Sequence, residues 1–290
     1  MSDTDSQPDT YDRPASAESW SFDDLTFVPT GEPGDGQRWS TWNAVQALCH
    51  GPEPRPDWIV TADAAIDTDL GALKSGKEAD CFLIERAVPG DDAQASLLVV
   101  KRYREAERRL FHRNAGYVEG RKTRNSRDAR AMAKQTKHGR SISAMEWAGA
   151  EWDALCRLWR LGVPVPYPVQ IDGVEILMQF IEVDGEVAPR LAACRPDPDL
   201  LADLWRQLTE SMAVMAADGL VHGDLSPYNI LLAGDRLVII DLPQMVDLIA
   251  NPQGFEFLHR DCTNVTNWFV RRGLEVDAEK LFAELVAAAY

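Results

Sequence analysis

The sequence predicts an α+β fold with two lobes, a small β-rich N-terminal lobe and a mainly helical C-terminal lobe. Three observations predict it. Short apolar runs typical of strands begin near residue 70, a helix with regular apolar spacing interrupts them, and a second helix follows a stretch rich in Pro and Asp. With 290 residues, 45% of them hydrophobic, the chain is long enough to bury a sizeable core.

The chain is predicted to divide into four segments. Residues 1–20 are rich in Ser, Asp, Pro and Thr, which predicts a disordered acidic tail. In residues 21–69 Pro and Gly repeatedly interrupt the apolar residues, which favours an extension packed on the N-terminal lobe over an independent domain. The N-terminal lobe is predicted at 70–181, including a basic flexible loop at 104–140, and the C-terminal lobe at 182–290.

Four short apolar runs predict strands. They are CFLIE at 81–85, LLVVKRY at 97–103, VEILMQF at 174–180 and LVIID at 237–241. The first three belong to the predicted N-terminal lobe, and the fourth ends on Asp241 in the C-terminal lobe.

Two helices are predicted from apolar residues spaced three and four positions apart. The first helix lies between the second and third predicted strands and is ended by Gly162. Its apolar face consists of Met145, Ala148, Trp152, Leu155 and Trp159. The second helix is predicted from about Asp199 to Asp218 and is ended by Gly219.

Charge and cysteine content limit the function classes. The formal net charge of −16 argues against general nucleic-acid binding, because an acidic surface repels phosphate backbones. The five cysteines form no C-x-x-C pair or Cys/His cluster with zinc-ligand spacing, which favours a reducing compartment. No signal peptide or apolar run of about 20 residues is visible, so we expect a cytoplasmic protein without membrane association.

The stretch VHGDLSPYNI at 221–230 places Asp224 five positions before Asn229, and Asp241 follows at the end of a predicted strand. Oxygen ligands of this kind suit Mg²⁺, and a further carboxylate can orient a hydroxyl and accept its proton. D-x-x-x-x-N followed by a strand-terminal Asp is the arrangement of kinase catalytic and metal loops, which predicts phosphoryl transfer. The alternative is that Asp224 and Asn229 only cap and shape a turn.

A cation for nucleotide phosphates is expected at Lys101, which strand alternation places on the face of Leu97 and Val99. A lone Lys late in a strand is more often a solvated edge residue. Here the next helix offers Glu151 as its partner, and a Lys in a strand followed by a Glu in a helix is the order found in kinases. Glu146 is the competing partner, but Glu151 is favoured because it lies on the inward side of the helix.

The segment GALKSGKEADCFL precedes the first predicted strand and contains no G-x-G-x-x-G motif. Ser75, Gly76 and Lys77 offer a hydroxyl, a flexible backbone and a positive charge to phosphates. An ordinary hairpin turn explains the same residues, but their position before a Lys-bearing strand favours phosphate contact.

Together these motifs resemble those of the RIO-type atypical serine/threonine protein kinases. SGKEAD at 75–80 is similar to the family's S-x-G-K-E-A phosphate loop, HGDLSPYN at 222–229 to its H-x-D-L-S-x-x-N catalytic loop, and IIDLPQMVD at 239–247 to its I-D-x-P-Q metal loop. The similarity continues through FEFLHRDCTNV at 255–265 and spans about residues 70–270.

The resemblance implies an abbreviated protein-kinase-like fold that binds ATP and Mg²⁺. It implies that Asp224 is the catalytic aspartate, that Asn229 and Asp241 hold the metal, and that Lys101 contacts phosphates with Glu151 as its partner. RIO proteins are also ATPases that form a phosphoaspartate on the metal-loop Asp, which makes Asp241 a catalytic residue as well.

The remaining nucleotide contacts implied by the resemblance lie at two places. Ser75 and Lys77 belong to the phosphate loop. The backbone groups of Gln179 and Ile181 are expected to meet adenine at the hinge between the lobes.

The stretch 101–140 is very basic, with 14 Lys and Arg against 4 Asp and Glu. Such a run is most often a solvated loop. Because RIO proteins carry a flexible loop here and act in ribosomal-subunit maturation, a contact with RNA or the ribosome is a second interpretation. An acidic protein partner is a third.

Three functions remain open from the sequence. The first is a RIO-type serine/threonine kinase or ATPase, which transfers the γ-phosphoryl group of ATP to a hydroxyl of an unknown protein substrate or of its own chain, or to water through a phosphoaspartate. The second is a small-molecule phosphotransferase of the aminoglycoside or choline kinase type, and the third is an ATP-binding scaffold with slow turnover. SGKEAD and IIDLPQMVD favour the first.

Overall fold

The computed structural model of the chain describes residues 32–104 and 137–290. The predicted tail at 1–20, the first part of the predicted extension at 21–69 and most of the predicted basic loop at 104–140 lie outside the described residues.

The N-terminal lobe is built on one sheet of six strands. The strands are β1 (Gln37–Trp39), β2 (Ile66–Ser75), β3 (Ala79–Val88), β4 (Asp91–Tyr103), β5 (Pro168–Asp172) and β6 (Glu175–Gln179). Their order in the sheet is β1-β2-β3-β4-β6-β5, and every neighbouring pair is antiparallel. The strands predicted at 81–85, 97–103 and 174–180 correspond to β3, β4 and β6.

The strand β2 was not predicted, although it contributes ten residues to the sheet. From Asp69 to Ser75 all its side chains are exposed, so this part of the strand shows neither an apolar run nor an alternation. β2 and β3 form a hairpin, and the turn between them contains Gly76 and Lys77.

Four longer helices lie in the described part of the chain. They are α1 (Lys137–Arg160), α2 (Pro198–Ala217), α3 (Gly254–Val270) and α4 (Ala278–Ala288). None of the helices in the described ranges is both long and apolar enough to cross a bilayer.

The helix α1 begins at Lys137, inside the stretch 104–140 that was predicted as a loop. The prediction of its apolar face is also wrong at one residue. Met145 is 51% exposed, and Ala144, only 4% exposed, occupies the inward position instead. Adjacent residues on a helix are about 100° apart, so Ala144 lies one turn before Ala148 on the buried side and Met145 points to solvent.

Three small antiparallel pairs lie in the C-terminal lobe. They are β7 (Glu182–Val183) with β8 (Glu186–Val187), β9 (Leu220–Val221) with β12 (Val246–Asp247), and β10 (Ile230–Ala233) with β11 (Arg236–Ile239). β9 leads into the predicted catalytic loop, and the β10–β11 hairpin returns the chain to Asp241.

Two apolar cores lie on opposite faces of the sheet. Leu98 and Val100 of β4 pack in a smaller cluster with Trp42, while Val99 packs against the main core, which contains the buried residues of α1, α2 and α3. This alternation turns Lys101 towards α1 and away from the smaller cluster.

Candidate active site

Lys101 lies between two carboxylates. Its Nζ is 2.6 Å from Oε1 of Glu151 and 2.8 Å from Oδ1 of Asp241. Lys101 is 9% exposed and Glu151 2%. Burial alone would lower the pKa of Lys101, but the negative charges of Glu151 and Asp241 outweigh it and hold that pKa well above its usual value. Partial burial would likewise raise the pKa of Asp241, but the ammonium of Lys101 holds that pKa below its usual value. Both groups therefore stay charged.

Glu151 is fixed by contacts to both of its oxygens. Oε1 accepts hydrogen bonds from Lys101 Nζ and, at 3.3 Å, from the backbone N–H of Leu242 in the metal loop. Oε2 accepts a hydrogen bond from the hydroxyl of Tyr103. Glu146, the competing partner, is exposed on the surface of α1. The structure thus brings Lys101, Glu151 and the start of the metal loop together.

The backbone around Asp224 is held by hydrogen bonds to the side chain of Asp261 on α3. The N–H of Gly223 donates to Oδ2 of Asp261 at 2.8 Å, and the N–H of Leu225 donates to Oδ1 at 2.9 Å. Gly223 has a φ of 84°, in the left-handed region that favours glycine. Asp224 itself is exposed, so its carboxylate is accessible to a substrate.

The sequence reasoning did not identify Asp261. It is 1% exposed, and burial raises its pKa to about 7, although its two backbone hydrogen bonds act in the opposite direction. The sequence feature that could have identified Asp261 is the position of an acidic residue in the middle of the amphipathic helical stretch at 255–265.

His222 connects the catalytic loop to the end of β11. Its Nε2 lies 3.2 Å from the carbonyl oxygen of Ile240, and its Nδ1 accepts a hydrogen bond from the N–H of Asp224 at 3.3 Å. These contacts fit a neutral ring that carries its proton on Nε2. Burial lowers the pKa of His222, which also favours the neutral form.

Asn229 and Asp241 are joined by the β10–β11 hairpin. The N–H of Ile240 donates to the carbonyl of Asn229 at 3.0 Å, which places Asp241 beside the catalytic loop. The Nδ2 of Asn229 donates to the backbone carbonyl of Asp224 at 2.9 Å, so its amide oxygen is the group left to act as an acceptor. Asp241 has a φ of 68°, uncommon for a residue other than glycine and frequent at functional sites.

The donor set of this region fits a magnesium ion. Asn229 contributes an amide oxygen and Asp241 a carboxylate, and Mg²⁺ prefers such oxygen ligands together with phosphate oxygens of the substrate.

Ser75 and Lys77 lie at the β2–β3 turn. Ser75 Oγ donates to Oδ1 of Asp80 at 2.7 Å, and Arg104 donates to Oδ2 of Asp80 at 2.5 Å and to Ser75 Oγ at 2.8 Å. Lys77 is exposed at the tip of the turn. The sequence reasoning missed Asp80 and Arg104, which connect the β2–β3 turn to the end of β4. We call this turn the phosphate turn, after the contact predicted for it.

Gln179 and Ile181 lie where the sheet passes into the C-terminal lobe. The N–H of Gln179 donates to the carbonyl of Tyr167 at 2.9 Å, and the carbonyl of Ile181 accepts from the N–H of Ala188 at 2.9 Å. The predicted contact of these residues with adenine would use the Gln179 carbonyl and the Ile181 N–H.

Comparison with known proteins identifies the family of the chain. A family model described as the RIO domain matches residues 91–281. The RIO-type serine/threonine-protein kinase Rio1 of Haloferax volcanii is 34% identical over 220 residues, which covers 76% of this chain and 69% of that protein. Serine/threonine-protein kinase RIO1 of Homo sapiens is 31% identical over 224 residues, and the match spans 74% of this chain but only 36% of the human protein.

Among solved structures, the Rio2 kinase–ADP/Mg²⁺-phosphoaspartate complex from Chaetomium thermophilum is similar with a TM-score of 0.51 at 22% identity. The alignment covers 76% of this chain and 65% of that one. This likeness confirms the predicted two-lobed, kinase-like α+β fold. The domain match and the archaeal relative confirm the resemblance found in the motifs, and the chain belongs to the RIO family of atypical kinases.

Proposed function

We propose that this protein is an ATP- and Mg²⁺-dependent RIO-type serine/threonine kinase or ATPase. It transfers the γ-phosphoryl group of ATP to a hydroxyl of a protein substrate or of its own chain, or to water through a phosphoaspartate on Asp241. The observation that carries the proposal is the meeting of Lys101, Glu151 and Asp241 from three separate elements within hydrogen-bonding distance. Family membership does not favour the small-molecule phosphotransferase that the sequence left open.

The nucleotide is bound between the sheet and the catalytic loop in this proposal. Lys101 contacts its phosphates, and Ser75 and Lys77 approach them from the β2–β3 turn. The backbone groups of Gln179 and Ile181 bind adenine.

The metal is held by Asn229 and Asp241. When bound, Mg²⁺ neutralises negative charge on the phosphate oxygens as the reaction proceeds. The chain's own contribution is to orient both ligands, because Asn229 is tied to the Asp224 backbone and the hydrogen bond from Ile240 to Asn229 places Asp241 beside it.

For a hydroxyl acceptor, Asp224 orients the hydroxyl and accepts its proton while the oxygen attacks the γ-phosphorus and ADP leaves. For the ATPase route, a carboxylate oxygen of Asp241 attacks the γ-phosphorus and ADP leaves. Water then attacks the acyl phosphate, Asp224 accepts its proton, and phosphate is released. The similar Rio2 kinase was captured as a phosphoaspartate complex, which supports including this route.

The test is to incubate the purified protein with Mg²⁺ and γ-labelled ATP without added substrate. Label that hydroxylamine removes, and that is lost in Asp241→Ala, supports the phosphoaspartate route. Acid-stable label on Ser or Thr that is lost in Asp224→Ala supports hydroxyl transfer. Asp247→Ala removes an exposed carboxylate that lies three residues beyond the IDLPQ motif at 240–244, and this control should label like the wild type. A wild type that binds ATP but neither labels nor hydrolyses it would make the protein an ATP-binding scaffold instead.

A further inference from the structure

We propose that Tyr103 is a positioning residue for phosphoryl transfer. Its hydroxyl fixes the Glu151 carboxylate, and Glu151 in turn aims Lys101 at the phosphates of the nucleotide. This inference rests on the function proposed above and assigns a role to a residue that neither the motifs nor the family comparison points to.

The three residues are arranged so that each oxygen of Glu151 has its own donor. Tyr103 and Lys101 are two positions apart on β4, so their side chains leave the same face of the strand. Lys101 Nζ lies 2.6 Å from Oε1 of Glu151, while the hydroxyl of Tyr103 donates to Oε2. A carboxylate held at both oxygens cannot rotate about its terminal bond without breaking one of these contacts.

The contact from Tyr103 does not depend on any ligand. Its N–H donates to the carbonyl of Val174 at 3.0 Å, and its ring is 5% exposed within the main core. Burial, and then the charge of Glu151, raise the pKa of Tyr103 well above its usual value. The hydroxyl therefore remains a hydrogen-bond donor at physiological pH.

The need for such an anchor follows from the second partner of Lys101. Nζ also lies 2.8 Å from Asp241, and a nucleotide with its metal would draw both groups towards new partners. Glu151 is then the carboxylate that continues to hold Lys101. If Glu151 could rotate, the ammonium would lose its position relative to the transferring phosphoryl group, and small displacements of this kind slow the chemical step.

A purely structural role for Tyr103 gives a different expectation, namely loss of stability without a specific loss of turnover. Tyr167 is a matched control because it is a second buried tyrosine, 0% exposed, whose hydroxyl donates to the carbonyl of Pro52 at 2.9 Å. It belongs to the smaller core, on the other face of the sheet. Phe substitution removes one buried, hydrogen-bonded hydroxyl at either position.

The experiment measures kcat and KM for ATP hydrolysis, the Kd of ADP and the Tm of the full chain in Tyr103→Phe and Tyr167→Phe. We expect kcat to fall about tenfold in Tyr103→Phe with KM within about twofold of the wild type. Tyr167→Phe should retain the wild-type kcat, although both substitutions should lower Tm by a few degrees because each removes one buried hydrogen bond.

A double-mutant cycle with Glu151→Gln then tests whether Tyr103 acts through Glu151. The proposal expects Tyr103→Phe to reduce kcat no further when Glu151 is already substituted. It is overturned if Tyr103→Phe keeps full turnover, if both tyrosine variants lose turnover equally, or if the two losses multiply in the cycle.

A readout that needs no turnover separates this inference from the proposed function. We expect the ¹⁵N-ammonium signal of Lys101 with Mg²⁺ and ADP, assigned by its absence in Lys101→Arg, to be sharp in the wild type and in Tyr167→Phe but broadened in Tyr103→Phe. An inactive wild type with this pattern would refute the proposed function alone. An equally sharp signal in all three proteins would refute the role of Tyr103.

Discussion

Lys101 and Asp241 form an ion pair in which Nζ lies 2.8 Å from Oδ1, although the side chain of Asp241 is 41% exposed. The cation proposed to contact phosphates and the carboxylate proposed to hold the metal therefore neutralise each other. Because either ligand must compete with this pair, binding of one should release the group that the other needs.

Mg²⁺ and ADP should therefore bind with positive cooperativity. ADP attracts Lys101 to its phosphates and frees Asp241, so we expect the Kd of Mg²⁺ to fall at least about tenfold when ADP is saturating, within the usual range of coupling between two ligands. Isothermal titration calorimetry of Mg²⁺ with and without ADP measures this change.

Lys101→Met tests whether the ion pair is the cause. It should strengthen the binding of Mg²⁺ alone and weaken the cooperativity. Lys74→Met removes an exposed positive charge on β2 whose field also acts on Asp241, but it leaves the ion pair intact, so it controls for net charge. Equal effects of the two substitutions would contradict this account.

Removing the carboxylate of Asp261 should strongly destabilise the protein. Asp261→Ala leaves the buried N–H groups of Gly223 and Leu225 without their acceptor, and we expect the free energy of unfolding to fall by roughly 2–6 kcal/mol, since each unsatisfied buried donor costs about 1–3 kcal/mol. Asp261→Asn, which keeps one acceptor oxygen, should lose less. Urea denaturation measures all three proteins.

Asp247 provides a matched control for Asp261. It also accepts two backbone N–H bonds, from Ile249 at 2.9 Å and Ala250 at 2.7 Å, but it is exposed. Water can replace its oxygens, so Asp247→Ala should have a much smaller effect. A loss as large as that of Asp261→Ala would show that burial of the two loop donors is not the cause.

The sequence was informative where the role of a residue depends on its spacing from nearby residues along the chain. Helical spacing favoured Glu151 over Glu146, and the structure pairs Glu151 with Lys101. The order of Asp224, Asn229 and Asp241 along the chain was also sufficient to expect them in one region, because a short hairpin joins the last two.

The sequence was uninformative where a role depends on contacts between distant segments. Asp261 reads locally as one polar residue of an amphipathic helix, and only the packing of α3 under the catalytic loop shows what it holds. Tyr103 reads as the apolar end of a strand, and its hydroxyl gains a role only when α1 brings Glu151 over it. Periodicity indicates which face is buried but not which polar atoms meet there.

His222 should make stability depend on pH below neutrality. Its pKa is lowered by burial in the folded protein, whereas a histidine in the unfolded chain binds a proton near pH 6.5. Below that pH the unfolded state takes up a proton that the folded state does not, so the contribution of His222 to the free energy of unfolding should decline as pH falls from about 6.5 to the folded pKa.

The decline is measured by urea denaturation between pH 7.5 and pH 5, values chosen to span the unfolded pKa of about 6.5. As pH falls, the free energy of unfolding of the wild type should decrease relative to that of His222→Asn. The raised pKa of Asp261 has the opposite effect on stability in this range, but it acts in both proteins and cancels in the difference. His259→Asn removes a histidine of α3 whose side chain is 44% exposed and pairs with Glu279 at 2.7 Å, and it should leave the contribution of His222 in place. A pH dependence in His222→Asn that matches the wild type would contradict the assignment.

Arg104 should support nucleotide binding through the phosphate turn. It donates to Asp80 at 2.5 Å and to Ser75 at 2.8 Å, and its hydrogen bonds to Asp80 hold the pKa of that carboxyl below its usual value. Arg104→Ala frees one end of the turn that carries Ser75 and Lys77. If these residues contact ATP before and during the reaction alike, KM should rise about fivefold with kcat within about twofold.

Arg102 separates this effect from a general loss of positive charge. It is two residues before Arg104, its side chain is 49% exposed against 48% for Arg104, and it pairs with Glu175 at 2.7 Å, away from the phosphate turn. Arg102→Ala removes the same charge from nearly the same place, so a KM that rises equally in both variants would assign the effect to the electrostatic field of the lobe. A rise confined to Arg104→Ala, and partly reversed in Arg104→Lys, would assign it to the hydrogen bonds that shape the turn, because lysine keeps the charge but not the planar fork that joins Asp80 and Ser75.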